Sequence, residues 1–221
     1  MTEKVVAFFD IDNTLVKGSS VVLFMRSLLG EGFFSKKALA YQLYHGLSFK
    51  FRGENMNFLD KMKQGLPLSK PIQVEWLQEF LSEIYEYRIQ PRLKNKVVET
   101  LKDHQQQGHD VWLITAAPQI VADTFAEKLG ATGAVGTQGE IVDGNFTGVV
   151  AGKLMHAKNK SSCAQKIAET SGYNLDSSYA YSDSVNDIPL LKTVGNPVAV
   201  DPDKDLFQYA QHLGWPILKS K

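Results

Sequence analysis

The sequence predicts an α/β fold, a doubly wound parallel sheet with a helical segment inserted after the first strand. Three observations predict it. Three short apolar runs, Val5 to Phe9, Val111 to Ile114 and Tyr179 to Tyr181, each have the length of a strand buried on both faces. Each run ends in polar or small residues: Asp10, Thr115, and Ser182 with Asp183. Amphipathic helical patterns separate the runs, and strands alternating with helices make a parallel sheet.

The elements follow in order. After the first strand, residues 18–90 carry mostly helical patterns, with Trp76, Leu77, Phe80, Leu81, Ile84 and Tyr85 on one stripe. Nothing there reads as a central strand. The expected organisation is therefore an α/β core of residues 1–17 and 91–221, with residues 18–90 as a helical cap domain. Leu93, Val97, Val98 and Leu101 share a helix face, between Pro91 upstream and Gly108 beyond the end. Ile120, Val121, Phe125 and Leu129 repeat the theme between Pro118 and Gly130. Asp143-Gly144-Asn145 lies between extended segments and reads as a hairpin turn. A third helix carries Ile167 and Ala168, with Ser161 as its expected cap and Gly172 as its stop. A fourth is expected to start near Asp187, with Pro189 in its first turn. Val198 to Val200 and Pro216 to Leu218 read as the last strands.

Composition narrows the function. The chain has 221 residues, 43% of them apolar, enough for one good-sized domain or a core with a smaller insertion. Lys plus Arg equals Asp plus Glu at 24 each, so no basic field for nucleic acid is present. A few local cations and helix N-termini still suffice to bind a phosphate. Cys163 is the sole cysteine, which excludes an internal disulfide and a multi-cysteine metal site. It reads as a small hydrophobe on a helix face. No run approaches the roughly 18 apolar residues of a membrane helix, so no stable membrane association is expected. The first residues show no signal-peptide pattern, and the expectation is a cytoplasmic protein. His45, His104, His109, His156 and His212 have no metal-ligand spacing and read as structural or exposed.

In open α/β folds, ligands bind beyond the carboxyl ends of the strands. Asp10, Thr115 and Asp183 take that position in three separate units. Asp10 and Asp12, two residues apart past a buried strand, can converge on one small volume. Alone this is a weak signal, because Asp and Asn are common in loops.

Four segments together are specific. Asp10-Ile11-Asp12-Asn13-Thr14 has the form DxDxT; Leu113-Ile114-Thr115 is an apolar strand ending in a hydroxyl. Lys160 stands ahead of a helix, and Asp183-Ser184-Val185-Asn186-Asp187 is an acidic pair after a strand. In this order the sequence resembles the haloacid dehalogenase superfamily, in the branch that contains phosphoserine phosphatase. The resemblance spans residues 10–187, most of the chain. It implies a Mg2+-dependent phosphatase acting on a small-molecule phosphomonoester through an aspartyl-phosphate. Asp10 is then the nucleophile and Asp12 the acid and base. Lys160, with Lys158 as the second choice in a cluster that includes Lys153, steadies Asp10. Thr115 and Ala116, the latter through its backbone, hold phosphate oxygens, with Asn186 either joining them or only shaping its loop. The metal falls to Asp10, Asp12 through a nearby backbone carbonyl, Asp183 and Asp187, with Ser184 in the same loop.

The chemistry needs such a set. A phosphate dianion approaching several carboxylates is repelled unless cations intervene. Hard oxygen ligands suit magnesium, which cancels charge and fixes in-line geometry. Asp12 favours hydrolysis of a phosphomonoester or transfer to another alcohol. A phosphotransferase or mutase shares that residue and stays open as an alternative, as does a catalytically idle module that binds a phosphorylated metabolite.

Substrate choice falls to the cap. Phosphoserine phosphatases carry an acidic residue shortly after the first motif; here that position is Ser19, flanked by Gly18 and Ser20, which counts against phosphoserine itself. Arg26, Arg52, Lys61 and Lys63 are candidate cations. Phe33 to Phe51 is aromatic and basic, with Tyr41, Tyr44 and Phe49, which suits a larger or more apolar substrate such as histidinol phosphate, or contact with a membrane surface, although ordinary cap packing is the simpler account.

Overall fold

A computed structural model of the chain describes residues 3–33 and 68–220. The first half of the chain supplies β1 (Val6–Phe9), α1 (Ser20–Gly30), β2 (Ile72–Gln73), α2 (Val74–Ile84) and α3 (Asn95–Gln106). Between α2 and α3 run a π-helical turn, Tyr85–Ile89, and a 3-10 turn, Gln90–Arg92. Then come β3 (Asp110–Pro118), α4 (Gln119–Leu129), β4 (Gly133–Thr137), β5 (Gly139–Val142) and β6 (Asn145–Val150). The chain ends with α5 (Lys158–Ser171), β7 (Tyr179–Ser182), α6 (Ile188–Leu191), β8 (Asn196–Val200), α7 (Lys204–Leu213) and β9 (Ile217–Leu218).

The main sheet has the order β4-β3-β1-β7-β8-β9, and every neighbouring pair is parallel. The chain winds outward from β1 through β3 to β4, then crosses back to β7 and winds the other way. The switch point therefore lies between β1 and β7, where open α/β sheets bind ligands. β1 is buried along its whole length. Alternation sends Phe9 to one core, with Ile11, Leu101, Leu113, Phe125 and Leu81. Phe8 faces the other, with Ile114, Ala164, Leu190 and Leu206. Each fully buried phenylalanine contributes roughly 2–3 kcal/mol. The α/β class follows directly from these two faces, each covered by helices.

Several local readings need correction. α5 begins at Lys158, with Ala157 at its N-cap at φ 44° and no side-chain cap, so Ser161 lies inside the helix and does not cap it. Gly172 does end it, in the left-handed conformation. The helix expected near Asp187 is a 3-10 turn, Val185–Asp187, followed by the short α6 with Pro189 in its first turn. β3 runs on to Pro118, past the apolar run, with a register shift against β4 after Ile114.

The hairpin forms as expected. Val142 pairs with Asn145, and Asp143 and Gly144 both have positive φ, 49° and 74°, the signature of a type I′ turn. Its second strand, β6, also pairs with β2, giving a second, three-stranded sheet in the order β2-β6-β5. Residues 18–90 thus contain a strand that the helical reading lacks. Ile72–Gln73 is too short for a period of two to show. Arg52, Lys61, Lys63, Tyr41, Tyr44, Phe49 and His45 lie outside the described residues. Among the described residues no helix is long and apolar enough to cross a membrane.

Candidate active site

β1 and β7 bring the first acids together. Phe9 and Tyr181 are register partners, and their rings stack with centroids 4.3 Å apart and planes 3° apart. One residue on, the Asp10 N–H donates to the Tyr181 carbonyl at 3.0 Å. Asp10 and Asp183 therefore emerge from neighbouring strands at the switch point. After Asp10 the chain makes a tight turn. Asn13 takes a left-handed φ of 59°, and its side-chain oxygen accepts the Gly18 N–H at 3.1 Å. Asparagine tolerates that conformation better than most residues.

The turn aims Thr14 between the two acids. Its Oγ1 stands 3.3 Å from Asp10 Oδ2 and 3.1 Å from Asp183 Oδ1, and it accepts the Asp183 N–H at 3.1 Å. On the other side of Asp10, Lys160 Nζ donates to Asp10 Oδ1 and to Asp187 Oδ2, each at 2.7 Å. The Ser182 hydroxyl donates to the same Asp187 oxygen at 2.7 Å. Lys160 is 4% exposed, whereas Lys158 and Lys153 are exposed, so Lys160 is the lysine of that cluster that reaches Asp10.

Burial raises the Asp10 carboxyl above its ordinary range; Lys160 opposes that rise, and the charges of Asp187 and Asp183 add to it. Asp183 is raised as well, by burial first and by Asp187, against the Thr14 hydrogen bond. Burial alone would lower Lys160, but the charges of Asp10 and Asp187 and their hydrogen bonds hold it protonated above the usual lysine range. Two buried carboxyls, Asp10 and Asp187, thus share one ammonium, with the half-buried Asp183 beside them. The Thr14 hydroxyl has one proton and two carboxylate oxygens within reach, so one of them lacks a donor there. Among the described residues no three acidic or imidazole side chains stand in a closed metal cage. The surplus negative charge and the hard oxygen donors of Asp10 and Asp183 nevertheless fit a divalent cation of the magnesium type. Such a cation would favour the ionised form of Asp10. Asp187 turns one oxygen, Oδ2, to both Lys160 and Ser182.

Asp12 meets the start of α1. Its Oδ1 accepts the Ser20 N–H at 2.9 Å and the Ser20 hydroxyl at 2.5 Å, and its Oδ2 accepts the Ser19 hydroxyl at 2.9 Å. These donors open α1. They lower the Asp12 pKa, but burial outweighs them and the carboxyl is raised. Any part for Asp12 in metal binding would fall to its backbone carbonyl, since its carboxylate is engaged by the two serines.

Thr115 is buried at 1% exposure near the end of β3, and its hydroxyl accepts the Ala117 N–H at 3.1 Å. The Ala116 carbonyl accepts the Thr137 hydroxyl at 2.9 Å. Asn186 is exposed, and its N–H donates to Ser184 Oγ at 3.3 Å, within the 3-10 turn. A separate groove of about 550 Å3 on α2 is lined by Glu79, Glu83, Glu86 and Glu127. Four glutamates would repel a phosphate dianion, and none of the residues around Asp10 lines it.

The sequence reading gives no role to Thr14, Ser182 or Ser20. Thr14 was visible within DxDxT, and Ser182 at a strand end; only the fold shows that each hydroxyl is held against an acid. His104 and His109 show no ligand arrangement either. His104 Nδ1 lies 2.8 Å from His109 Nδ1, and His104 Nε2 lies 2.8 Å from the Tyr181 hydroxyl, a buried network beneath the β1–β7 pair. Cys163 packs half-buried against the second core cluster.

Parallel strands that gather acids and one buried lysine at a topological switch point place a candidate site where α/β enzymes with open sheets bind their ligands. The family of haloacid dehalogenase-like hydrolases matches residues 7–192. The chain belongs to that family, in its phosphoserine-phosphatase-like branch, and its enzyme class is phosphatase. Phosphoserine phosphatase SerB1 of Mycobacterium tuberculosis is 40% identical over 213 residues, 96% of this chain and 69% of that protein. A histidinol-phosphatase of Neisseria meningitidis is 30% identical over 230 residues, 99% of this chain and all of that protein. The crystal structure of a protein of unknown function from Bordetella pertussis superimposes with a TM-score of 0.81 at 26% identity, covering 100% of both chains.

Proposed function

We propose that the chain is a cytoplasmic, magnesium-dependent phosphatase that hydrolyses a small phosphomonoester through an aspartyl-phosphate on Asp10. The observation that carries this reading is the placement of Asp10, buried at the switch point, with Lys160 on one carboxylate oxygen and Thr14 and Asp183 on the other side. Asp10 and Asp183, with the Asp12 carbonyl, would hold the metal, which when bound supplies positive charge for phosphoryl oxygens.

The residues then divide the work. An Asp10 oxygen attacks phosphorus, and the ester P–O bond breaks as the P–O bond to Asp10 forms. Asp12 gives its proton to the departing alkoxide, and the burial that raises its carboxyl favours the protonated form this needs. Water then attacks the acyl phosphate, Asp12 takes a proton from it, and inorganic phosphate leaves with Asp10 regenerated. Lys160 offsets the charge that accumulates around Asp10. Thr115 and the backbone at Ala116, at the end of β3, would hold non-bridging oxygens, with Asn186 at the mouth.

Residues 18–90 would act as a cap over a core of residues 1–17 and 91–221. The Ser19 hydroxyl is engaged with Asp12, so this position offers no carboxylate to a substrate ammonium. Phosphoserine and histidinol phosphate both carry that ammonium and differ in the carboxylate beside it, so both belong in the test. The purified protein should release phosphate from an aryl phosphate only with magnesium, and Asp10→Asn should abolish release. Activity that persists in the variant would refute the nucleophile.

A further inference from the structure

Among the described residues two lysines are buried, Lys160 and Lys94, at 4% and 7% exposure. Two carboxylates account for the first. Lys94 stands where the chain returns from residues 18–90 to the sheet, and the two crossings are stitched together. The Lys17 N–H donates to the Arg92 carbonyl at 2.9 Å, the Lys94 N–H donates to the Leu15 carbonyl at 2.8 Å, and Val16 bridges Leu93.

The Lys94 ammonium reaches the turn itself. It donates to the Asn13 carbonyl and, at 2.8 Å, to Asp201 Oδ2. Asp201 follows β8 and is held in turn by Ser220, whose N–H donates to Oδ1 at 3.0 Å and whose hydroxyl donates to Oδ2. Two residues on, the Asp203 N–H donates to the Asp183 carbonyl at 2.8 Å and Asp203 Oδ2 accepts the Val185 N–H at 2.9 Å. The end of β8 thus braces both acid-bearing loops: Asp203 holds the loop of Asp183, and Asp201, through Lys94, holds the turn after Asp10.

Removing an ammonium from water costs several kcal/mol, and a single partly exposed carboxylate is weak recompense. An apolar side chain would fill the same volume more cheaply. What the cation adds is a fixed donor on one carbonyl, between Asp12 and Thr14. The Asn13 carbonyl belongs to the peptide plane that joins Asn13 to Thr14, just after the left-handed φ of Asn13, so holding it sets the path of the chain around Asp12. We propose that Lys94 is a positioning residue of the reaction: its buried ammonium, anchored by Asp201, fixes the Asn13 carbonyl and through it the aim of the Asp12 carboxyl. The inference rests on the reading of Asp12 as the proton donor.

The test compares kcat/KM for an alkyl phosphate, whose poor leaving group needs a proton, with an aryl phosphate whose leaving group does not. A mis-aimed donor loses on the order of 10- to 100-fold on the first and less than about threefold on the second. Lys94→Met should show that split while retaining a cooperative thermal transition. Asp12→Asn serves as the reference and should show the same split more strongly. Equal losses on both substrates in Lys94→Met, or no loss, would overturn the proposal. Should Lys94→Met fail to fold, Asp201→Asn, which frees the ammonium from its anchor, must show the split in smaller degree, and its absence there overturns the proposal equally. If Asp12→Asn itself shows no split, the proton-donor reading fails, and the role of Lys94 fails with it for that separate reason.

Discussion

Lys160 Nζ stands 2.7 Å from Asp10 Oδ1, across 150 residues of sequence, in a site where both side chains are less than a tenth exposed. An ion pair so buried has little water to screen it, and Asp187 makes it a triad. Replacing Lys160 by Met leaves Asp10 and Asp187 without their cation. We expect kcat to fall by about 10²- to 10³-fold, the size of losing one electrostatic contact to the transition state. Lys160→Arg should not restore it, because the larger, delocalised guanidinium does not fit the single buried point from which the ammonium meets both Asp10 and Asp187. Steady-state kinetics on an aryl phosphate decide this, and near-wild-type turnover in Lys160→Met would remove Lys160 from the site.

Surplus negative charge around Asp10 predicts a response to metal that does not depend on turnover. Asp10, Asp183 and Asp187 repel one another when ionised, so a divalent cation should stabilise the fold by mass action. At a magnesium concentration of about 100 Kd the gain is about 2.7 kcal/mol, which raises Tm by several degrees in a chain of this length. Asp183→Asn should lose most of that rise. A melting temperature that ignores magnesium in the wild type would argue against a cation between Asp10 and Asp183.

How much of this was legible in the sequence differs by element. The β1, β3 and β7 runs were plain because parallel strands buried on both faces are continuously apolar, as Val6–Phe9 is. Asp10 and Asp183 followed, since a strand fixes where its last residue points. Sequence leaves Lys158 beside Lys160 as a second choice, and burial separates the two. Lys94 was not legible: its partners, Asn13 and Asp201, lie 81 and 107 residues away, and a lysine beside Leu93 reads as a solvated charge. β2 was hidden because a two-residue strand carries no period. The Ser20 contact was hidden because a serine eight residues past Asp12 meets its carboxylate only once the intervening turn is folded.

Three hydrogen bonds from Ser19 and Ser20 favour the ionised form of Asp12, against the burial that favours the protonated one. Removing the hydroxyls in a Ser19→Ala, Ser20→Ala double variant leaves burial less opposed and raises the Asp12 pKa further. A proton donor must be protonated to act, so activity should persist to higher pH. The alkaline limb of the kcat/KM profile is expected to move to higher pH. A limb that stays in place, or moves down, would show that Asp12 is not the group that sets it.

The histidine pair under β1 and β7 makes a prediction about stability rather than rate. Burial, and then the neighbouring His109, lower the His104 pKa to about 4, against a smaller opposing effect of Asp103. The unfolded chain takes up that proton near pH 6.5. Between pH 6.5 and 4 the unfolded state therefore binds more protons than the folded one, and stability must fall as the pH falls through that window. Above pH 6.5 both states are neutral at this site and the contribution is fully present. The loss is on the order of 2–3 kcal/mol by pH 4, from about 1.4 kcal/mol per unit of difference. In His104→Gln no such proton is taken up, although the bond to the Tyr181 hydroxyl weakens and the variant starts less stable at pH 7. Thermal melts of the two proteins should thus converge as the pH is lowered from 7 to 4. Curves that run parallel across that range would place the acid sensitivity of the fold on a group other than His104.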